Sequence, residues 1–178
     1  QKSGNALLTE LTVRWSNHKI MNKWMRLFFM YLDRYYVKHH SLPTLDVAGL
    51  KHFKTLVYNE VKKDVVNAMI ALIDAERDQA LIDRALVKNT VELLEAMGMG
   101  SLDAYVTDFE DQLLASTKEY YARKSQEWVE SDDAPAYLAK AEVALEAPAL
   151  AAPKPTISGA LRDQIKLALL SSFPIYVG

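Results

Sequence analysis

Apolar positions recur at intervals of three and four residues along almost the whole chain, the period of an amphipathic α-helix. Leu7, Leu8, Leu11 and Trp15 form a first stripe. Ile20, Met21, Trp24, Leu27, Phe28, Tyr31, Leu32 and Tyr35 continue the spacing through a long second helix. That helix should end across His39 to Pro43, because proline disfavours helical backbone in the residue before it. Asp46 offers an N-cap for a helix carrying Leu50, Phe53, Leu56, Val57 and Val61. After a break near Asn59 to Lys62, Val65, Val66, Met69, Ile70 and Ile73 make another stripe. Asp83 is placed to cap a helix with Leu86, Val87, Val91 and Leu94, and Gly98 stands where a left-handed C-terminal stop is expected.

A long acidic helix is predicted from about Leu102 or Ala104 to Val129, with Val106, Phe109, Leu113, Leu114, Thr117, Tyr120, Tyr121 and Trp128 on its apolar stripe. Asp132 or Asp133 before Ala134 and Pro135 reads as the entry to a further helix carrying Tyr137, Leu138, Ala141 and Leu145. Pro148, Pro153 and Pro155 make Ala147 to Thr156 a linker or distorted segment, after which a short helix carries Leu161, Ile165, Leu167, Leu169 and Leu170. No internal repeat, glycine-rich phosphate loop or convincing strand interrupts the series. The prediction is an all-α fold, a bundle or superhelix of antiparallel helices with no sheet.

Half of the 178 residues are hydrophobic and a quarter charged, a globular composition with room for a packed core in one domain or one large helical unit. Strictly apolar runs reach six residues, as from Leu27 to Leu32, far short of a membrane span. Residue 1 is Gln and no signal peptide is marked, so the chain is expected to be a fragment. The formal net charge of −2 excludes a wholesale polycation. Its distribution is uneven: His18 to Lys63 hold 9 Lys or Arg and 3 acids, Asp64 to Ala147 hold 7 and 18. The basic residues alternate with large apolar ones instead of forming a run, which fits the wet faces of helices better than a nucleic-acid site. Cysteine is absent, which rules out disulfides, thiolate metal sites and cysteine nucleophiles and fits an intracellular setting.

Candidate chemistry is sparse. His39 and His40 are adjacent, so on a helix their side chains diverge by about 100° and do not chelate one ion together. His18 and His52 stand apart from any carboxylate cluster with metal-ligand spacing. The acids Asp74, Glu76, Asp78, Glu110, Asp111, Asp132 and Asp133 are grouped at spacings whose side chains point apart, which suits solvated faces and caps better than a paired acid and base. There is no Glu-x-x-His pair and no G-x-S-x-G elbow. The chain is expected to be non-catalytic and to need no cofactor or metal; a site built from acids scattered along the sequence is the enzymatic rival.

The aromatic residues are the remaining signal. Trp24, Phe28, Phe29, Tyr31, Tyr35 and Tyr36 crowd one helix beside Met21, Met25 and Met30, and most are expected in the core. They surround nearly its whole circumference, so the helix must be covered on two faces. Leu27, Tyr31, Arg34 and Lys38 form a second stripe, apolar at one end and cationic at the other. By pattern alone it is either a partner-binding face or a seam against a neighbouring helix of the same protein.

The stretches Trp15-Ser-Asn-His-Lys, Phe29-Met-Tyr-Leu-Asp-Arg-Tyr-Tyr-Val37, Ser41-Leu-Pro-Thr-Leu45, Leu72-Ile-Asp-Ala-Glu-Arg77, Ile82-Asp-Arg-Ala-Leu86, Asp108-Phe-Glu110, Tyr120-Tyr-Ala-Arg-Lys-Ser125 and Tyr137-Leu-Ala-Lys-Ala-Glu142 succeed one another in an order that resembles the N-terminal half of cullins. The likeness runs from about Leu7 to Leu145 and is nearest to the type that assembles with Skp-type adaptors and F-box receptors. It implies stacked five-helix cullin repeats, with residues 1–40 ending a first repeat, 41–146 forming a second, 147–156 a Pro/Ala-rich linker or distorted segment, and 157–178 a C-terminal helix of the second repeat or the start of the next. It also implies a non-catalytic scaffold subunit of a cullin-RING ubiquitin ligase in the cytoplasm and nucleus, with no nucleic-acid or membrane partner. Leu27, Tyr31, Arg34 and Lys38 fall on the counterpart of the adaptor-binding fifth helix; Tyr31 and Arg34 match the family pattern best, while Leu27 and Lys38 are added by helical geometry. The RING subunit would be recruited only through a C-terminal region absent here. The proline-bearing stretch 147–156 departs from the family's charged continuous helix. A helical module that kept the fold and lost the ligase partners is the alternative.

Overall fold

The computed structural model describes residues 4–102, 105–146 and 155–172, and these are helical with no strand among them. They divide into two compact units, residues 1–108 and 109–178.

In the first unit, α1 (Gly4–Phe28) is one continuous helix, so the two segments expected before and after Trp15 are joined. Nothing between Trp15 and Ile20 breaks a helix: the intervening Ser, Asn, His and Lys are polar but carry no glycine or proline. Helical bonding continues past α1 into a π turn, Leu32–Val37, and finishes with the His40 amide on the Tyr36 carbonyl. Ser41, at φ 52°, turns the chain. α2 (Leu45–Phe53) is capped by Thr44, whose hydroxyl accepts from the Val47 amide, rather than by Asp46. Asp46 is engaged elsewhere, by Asn22 and Arg26 of α1.

A second π turn, Lys54–Tyr58, leads without a break into α3 (Asn59–Arg77), so the irregularity expected near Asn59 to Lys62 falls a few residues earlier. A π turn inserts one residue into the ladder and rotates the downstream helix about its axis. α4 (Arg84–Met97) starts on Asp83, whose carboxylate accepts from the Leu86 amide as anticipated. Its end differs from expectation. Gly98 stays right-handed at φ −67°, and Met99 and Gly100 make the left-handed turn at φ 54° and 96°. α1 packs on α2, α3 and α4. Leu8 and Leu11 of α1 are buried, as are Val65, Val66, Met69 and Ile73 of α3 and Val91, Leu93, Leu94 and Met97 of α4.

In the second unit, α5 (Asp111–Ser131), entered through a π turn at Val106–Glu110, packs on α6 (Ala134–Glu146) and α7 (Pro155–Ser172). Its stripe matches the predicted one at Leu113, Thr117, Tyr120 and Tyr121, all buried. Thr117 is tolerated there because its hydroxyl donates to the Leu113 carbonyl one turn back, at 2.6 Å. Asp133 caps α6 through the Ala136 amide. The core of this unit joins Tyr120 and Tyr121 to Tyr137, Ala141, Ala144, Ile165, Ala168 and Leu169. Leu167 and Leu170, expected on the buried stripe of α7, are exposed, and Ala168 takes the inward position between them. The linker or distortion expected at Ala147 to Thr156 lies outside the described residues up to 154; α7 begins at Pro155, where proline's fixed φ suits a first helical position.

Candidate docking surface

The outer half of α1 and its π turn lie against the first unit along a narrow polar seam. His18, Trp15 and Phe53 form a cluster of three rings, His18 lying 5.9 Å and 4.9 Å from the other two centroids, and its Nε2 donates to the Gly49 carbonyl at 3.0 Å. Asn22 reaches the Asp46 carbonyl at 3.3 Å, and the Arg26 guanidinium meets the Asp46 carboxylate at 2.9 Å. Asp33 accepts from the Leu45 amide, a donor at the first turn of α2, at 3.0 Å. Gly49 leaves room for this approach: a Cβ there would meet the end of the Asn22 side chain, which would have to move.

Around this seam the aromatic residues face outward. Trp24, Phe28, Tyr31 and Tyr35 are 65%, 82%, 71% and 62% exposed. This corrects the expectation that most of the aromatics are core. The seam is made by Asn22, Arg26 and Asp33, and Val37 is the buried apolar residue of the π turn. Met21, Trp24, Met25, Leu27 and Phe28 line a shallow apolar groove.

All four residues of the predicted stripe are exposed: Leu27, Tyr31, Arg34 and Lys38. They do not form one straight row, because the wide turn from Leu32 to Val37 skews the second half against the first. Tyr35 instead stacks with Tyr31, their rings 6.3 Å apart and 9° from parallel. The Arg34 guanidinium lies 6.0 Å from the Tyr35 ring. Neither Arg34 nor Lys38 has a carboxylate partner among the described residues. The i,i+3 step of the predicted stripe leads from Tyr31 to Arg34 and passes over Tyr35; i,i+4 spacing was the signal that could have found it.

The acids considered for chemistry are dispersed. Asp74 pairs with Arg77, Glu76 with Arg84, and Asp132 with Lys140, at 2.7, 2.6 and 2.6 Å. Asp108 pairs with Lys62 at 3.0 Å. Burial, together with the charge of Asp108, pushes the Tyr58 phenol well above its ordinary value. Among the described residues no three His, Asp or Glu side chains gather as metal ligands, and no helix is long and apolar enough to cross a membrane.

The cullin alpha solenoid domain model matches residues 1–149. Cullin-1 of Oryza sativa subsp. japonica is 49% identical over 117 residues, 66% of this chain and 16% of that protein. Cullin-2 of Arabidopsis thaliana is 42% identical over 145 residues, 82% of this chain and 20% of the relative. Cullin-like protein 3 of Arabidopsis thaliana is 34% identical over 146 residues, covering 82% of this chain and 57% of the relative. The chain thus spans about a fifth of the length of the cullins it matches. Its helical architecture, the ordered sequence likeness and the domain match agree: the chain belongs to the cullin family.

Proposed function

We propose that the chain is an N-terminal stalk fragment of the scaffold subunit of a cullin-RING ubiquitin ligase, SCF-like, which docks a Skp-type adaptor with its F-box receptor through Leu27, Tyr31, Arg34 and Lys38. The observation that carries the reading is the exposure of Tyr31 beside Arg34, whose charge meets no carboxylate among the described residues, at the two positions that fit the family pattern best. Tyr31 supplies apolar area with a polar tip, and Arg34 a charge-assisted hydrogen bond to a carboxylate of the partner. The role is spacing: stacked helical repeats sharing a continuous core resist bending and hold a bound substrate at a fixed distance from the ubiquitin-charged enzyme, which raises the local concentration of the target lysine. No residue of the chain performs bond chemistry in this scheme.

The test is capture of adaptor by the full-length protein carrying Tyr31→Ala and Arg34→Ala together. Affinity should fall about tenfold or more, with helicity unchanged by circular dichroism. Unchanged capture refutes the assignment.

A second reading, a helical module that kept the solenoid and lost the ligase partners, is favoured by one comparison. The matched stretch is 57% of Cullin-like protein 3 but 20% of Cullin-2, so the family includes members far shorter than the cullins. Sequencing through to a RING-binding region, or to a stop codon before one, decides between the two.

A further inference from the structure

We propose that the adaptor reads a tyrosine pair, Tyr31 with Tyr35, presented by the π turn Leu32–Val37 and held in register by Asp33. The inference rests on the adaptor-docking reading above and names a further docking residue and a positioning residue for that same surface.

The π turn divides its side chains between two sides. Asp33 and Val37 are four apart and both turn toward the body of the first unit: Val37 is buried, and Asp33 accepts from the Leu45 amide at 3.0 Å. Residues two positions away lie roughly opposite on a helical turn, so Tyr31 and Tyr35 are directed away from the body together. Their rings stack at 6.3 Å and 9°, and each remains more than half exposed, 71% and 62%. Arg34 flanks the pair, its guanidinium 6.0 Å from the Tyr35 ring. An α-helical continuation would instead have put Arg34 beside the line through Leu27 and Tyr31. Tyr31 and Tyr35 are i,i+4 neighbours on either kind of turn; the π turn moves Arg34 off the line of the rings, so the surface is an aromatic pair with a cation along one edge.

Charge argues for the occupant. The Asp33 carboxylate is turned inward to the Leu45 amide and Asp46 is paired with Arg26 and bonded by Asn22, whereas the exposed Arg34 and Lys38 have no carboxylate partner among the described residues. A complementary surface brings an apolar cleft for two rings and carboxylates beside it. A stacked pair of tyrosines loses little side-chain freedom on binding, which suits it to an anchor. Asp33 does not reach the partner. It acts through the backbone by tying the π turn to the first turn of α2, so that the two rings are presented in one arrangement.

The experiment measures adaptor affinity of the full-length protein bearing Tyr35→Ala, Tyr35→Phe, Asp33→Ala, Asp33→Asn or Lys38→Ala, with Tyr31→Ala/Arg34→Ala as reference. Tyr35→Ala should weaken binding about tenfold, and Tyr35→Phe, which keeps the ring, less than about threefold. Asp33→Ala should weaken binding about fivefold, and Asp33→Asn, which keeps an oxygen to accept from Leu45, should restore it; a merely destabilising change would not be rescued so selectively. Lys38→Ala should change affinity less than Tyr35→Ala does. Loss of binding in the reference variant with full binding by Tyr35→Ala overturns the pair and leaves the docking reading standing. Full binding by the reference variant overturns the docking reading itself. If Tyr35→Ala leaves adaptor capture intact but abolishes self-association in sedimentation, the occupant is a second copy and the proposal fails.

Discussion

Tyr31, Tyr35 and Tyr36 stand in solvent, whereas Tyr120, Tyr121 and Tyr137 are buried in the second unit. Both groups sit on helices at helical spacing, so the difference is not in the pattern of either stretch. It lies in what faces them. Around Tyr120 and Tyr137 the neighbouring helices contribute Ala141, Ala144 and Ala168, small enough to let helices close over aromatic rings. The Tyr137 hydroxyl is met by Ser125 at 2.8 Å and donates to the Leu169 carbonyl at 3.0 Å, so its burial leaves no polar atom stranded. The outer half of α1 faces α2 across Asn22, Arg26 and Asp33, which occupy that side with hydrogen bonds and leave the rings outward. An aromatic stripe becomes core only where a facing surface has both the small residues to admit it and the acceptors to satisfy it.

The largest test of this contrast is a matched pair of truncations. Tyr137→Ala should cost about 3–5 kcal/mol in urea unfolding, because it opens a cavity among three helices. Tyr31→Ala should stay within about 0.5 kcal/mol in the same assay, as for an exposed site. Equal losses would mean the two stretches are not differently packed. A smaller effect is expected at the polar seam. Gly49→Ala should destabilise the first unit by about 1–3 kcal/mol, since the added methyl displaces Asn22 from Asp46; a neutral result would show that the seam does not fix α1 against α2. Smaller again, Tyr137→Phe should cost about 1 kcal/mol, the net worth of the hydroxyl's hydrogen bonds with the ring left in place.

The parts of the fold legible in sequence are those that obey a local rule. Asp83 and Asp133 cap because each precedes a periodic segment and has no competing partner among the described residues, and Leu113, Thr117, Tyr120 and Tyr121 line up because nothing interrupts their helix. Asp46 had the same credentials as Asp83, but Asn22 and Arg26, on another element and some twenty residues back along the chain, claim it and Thr44 caps instead. The π turns are invisible because periodicity assumes a regular ladder, and an inserted residue carries no local signal in the sequence. Of the proposed docking surface, Tyr31 and Arg34 are the residues that the family likeness singles out. Tyr35 is within reach of the i,i+4 rule, but the stripe steps from Tyr31 to Arg34 and on to Lys38 and passes it by.

Tyr58 supplies the test that reads burial without changing a side chain's bulk. It is 3% exposed, and burial, then the charge of Asp108 and a hydrogen bond to it, push its phenol well above the ordinary value of 10.0. The folded chain therefore keeps this proton after the unfolded chain has begun to lose it. With more protons bound in the folded than in the unfolded state, stability must fall as pH rises past the ordinary value, and it is fully present below it. One tyrosine contributes at most about 1.4 kcal/mol per pH unit to that slope. Tyr58→Phe cannot ionise, so its urea midpoint should decline less than that of the parent between about pH 9 and pH 11, while Asp108→Asn, which removes the repelling charge, should give an intermediate slope. Parallel declines in all three chains would place Tyr58 with the solvent-facing tyrosines instead of the buried ones.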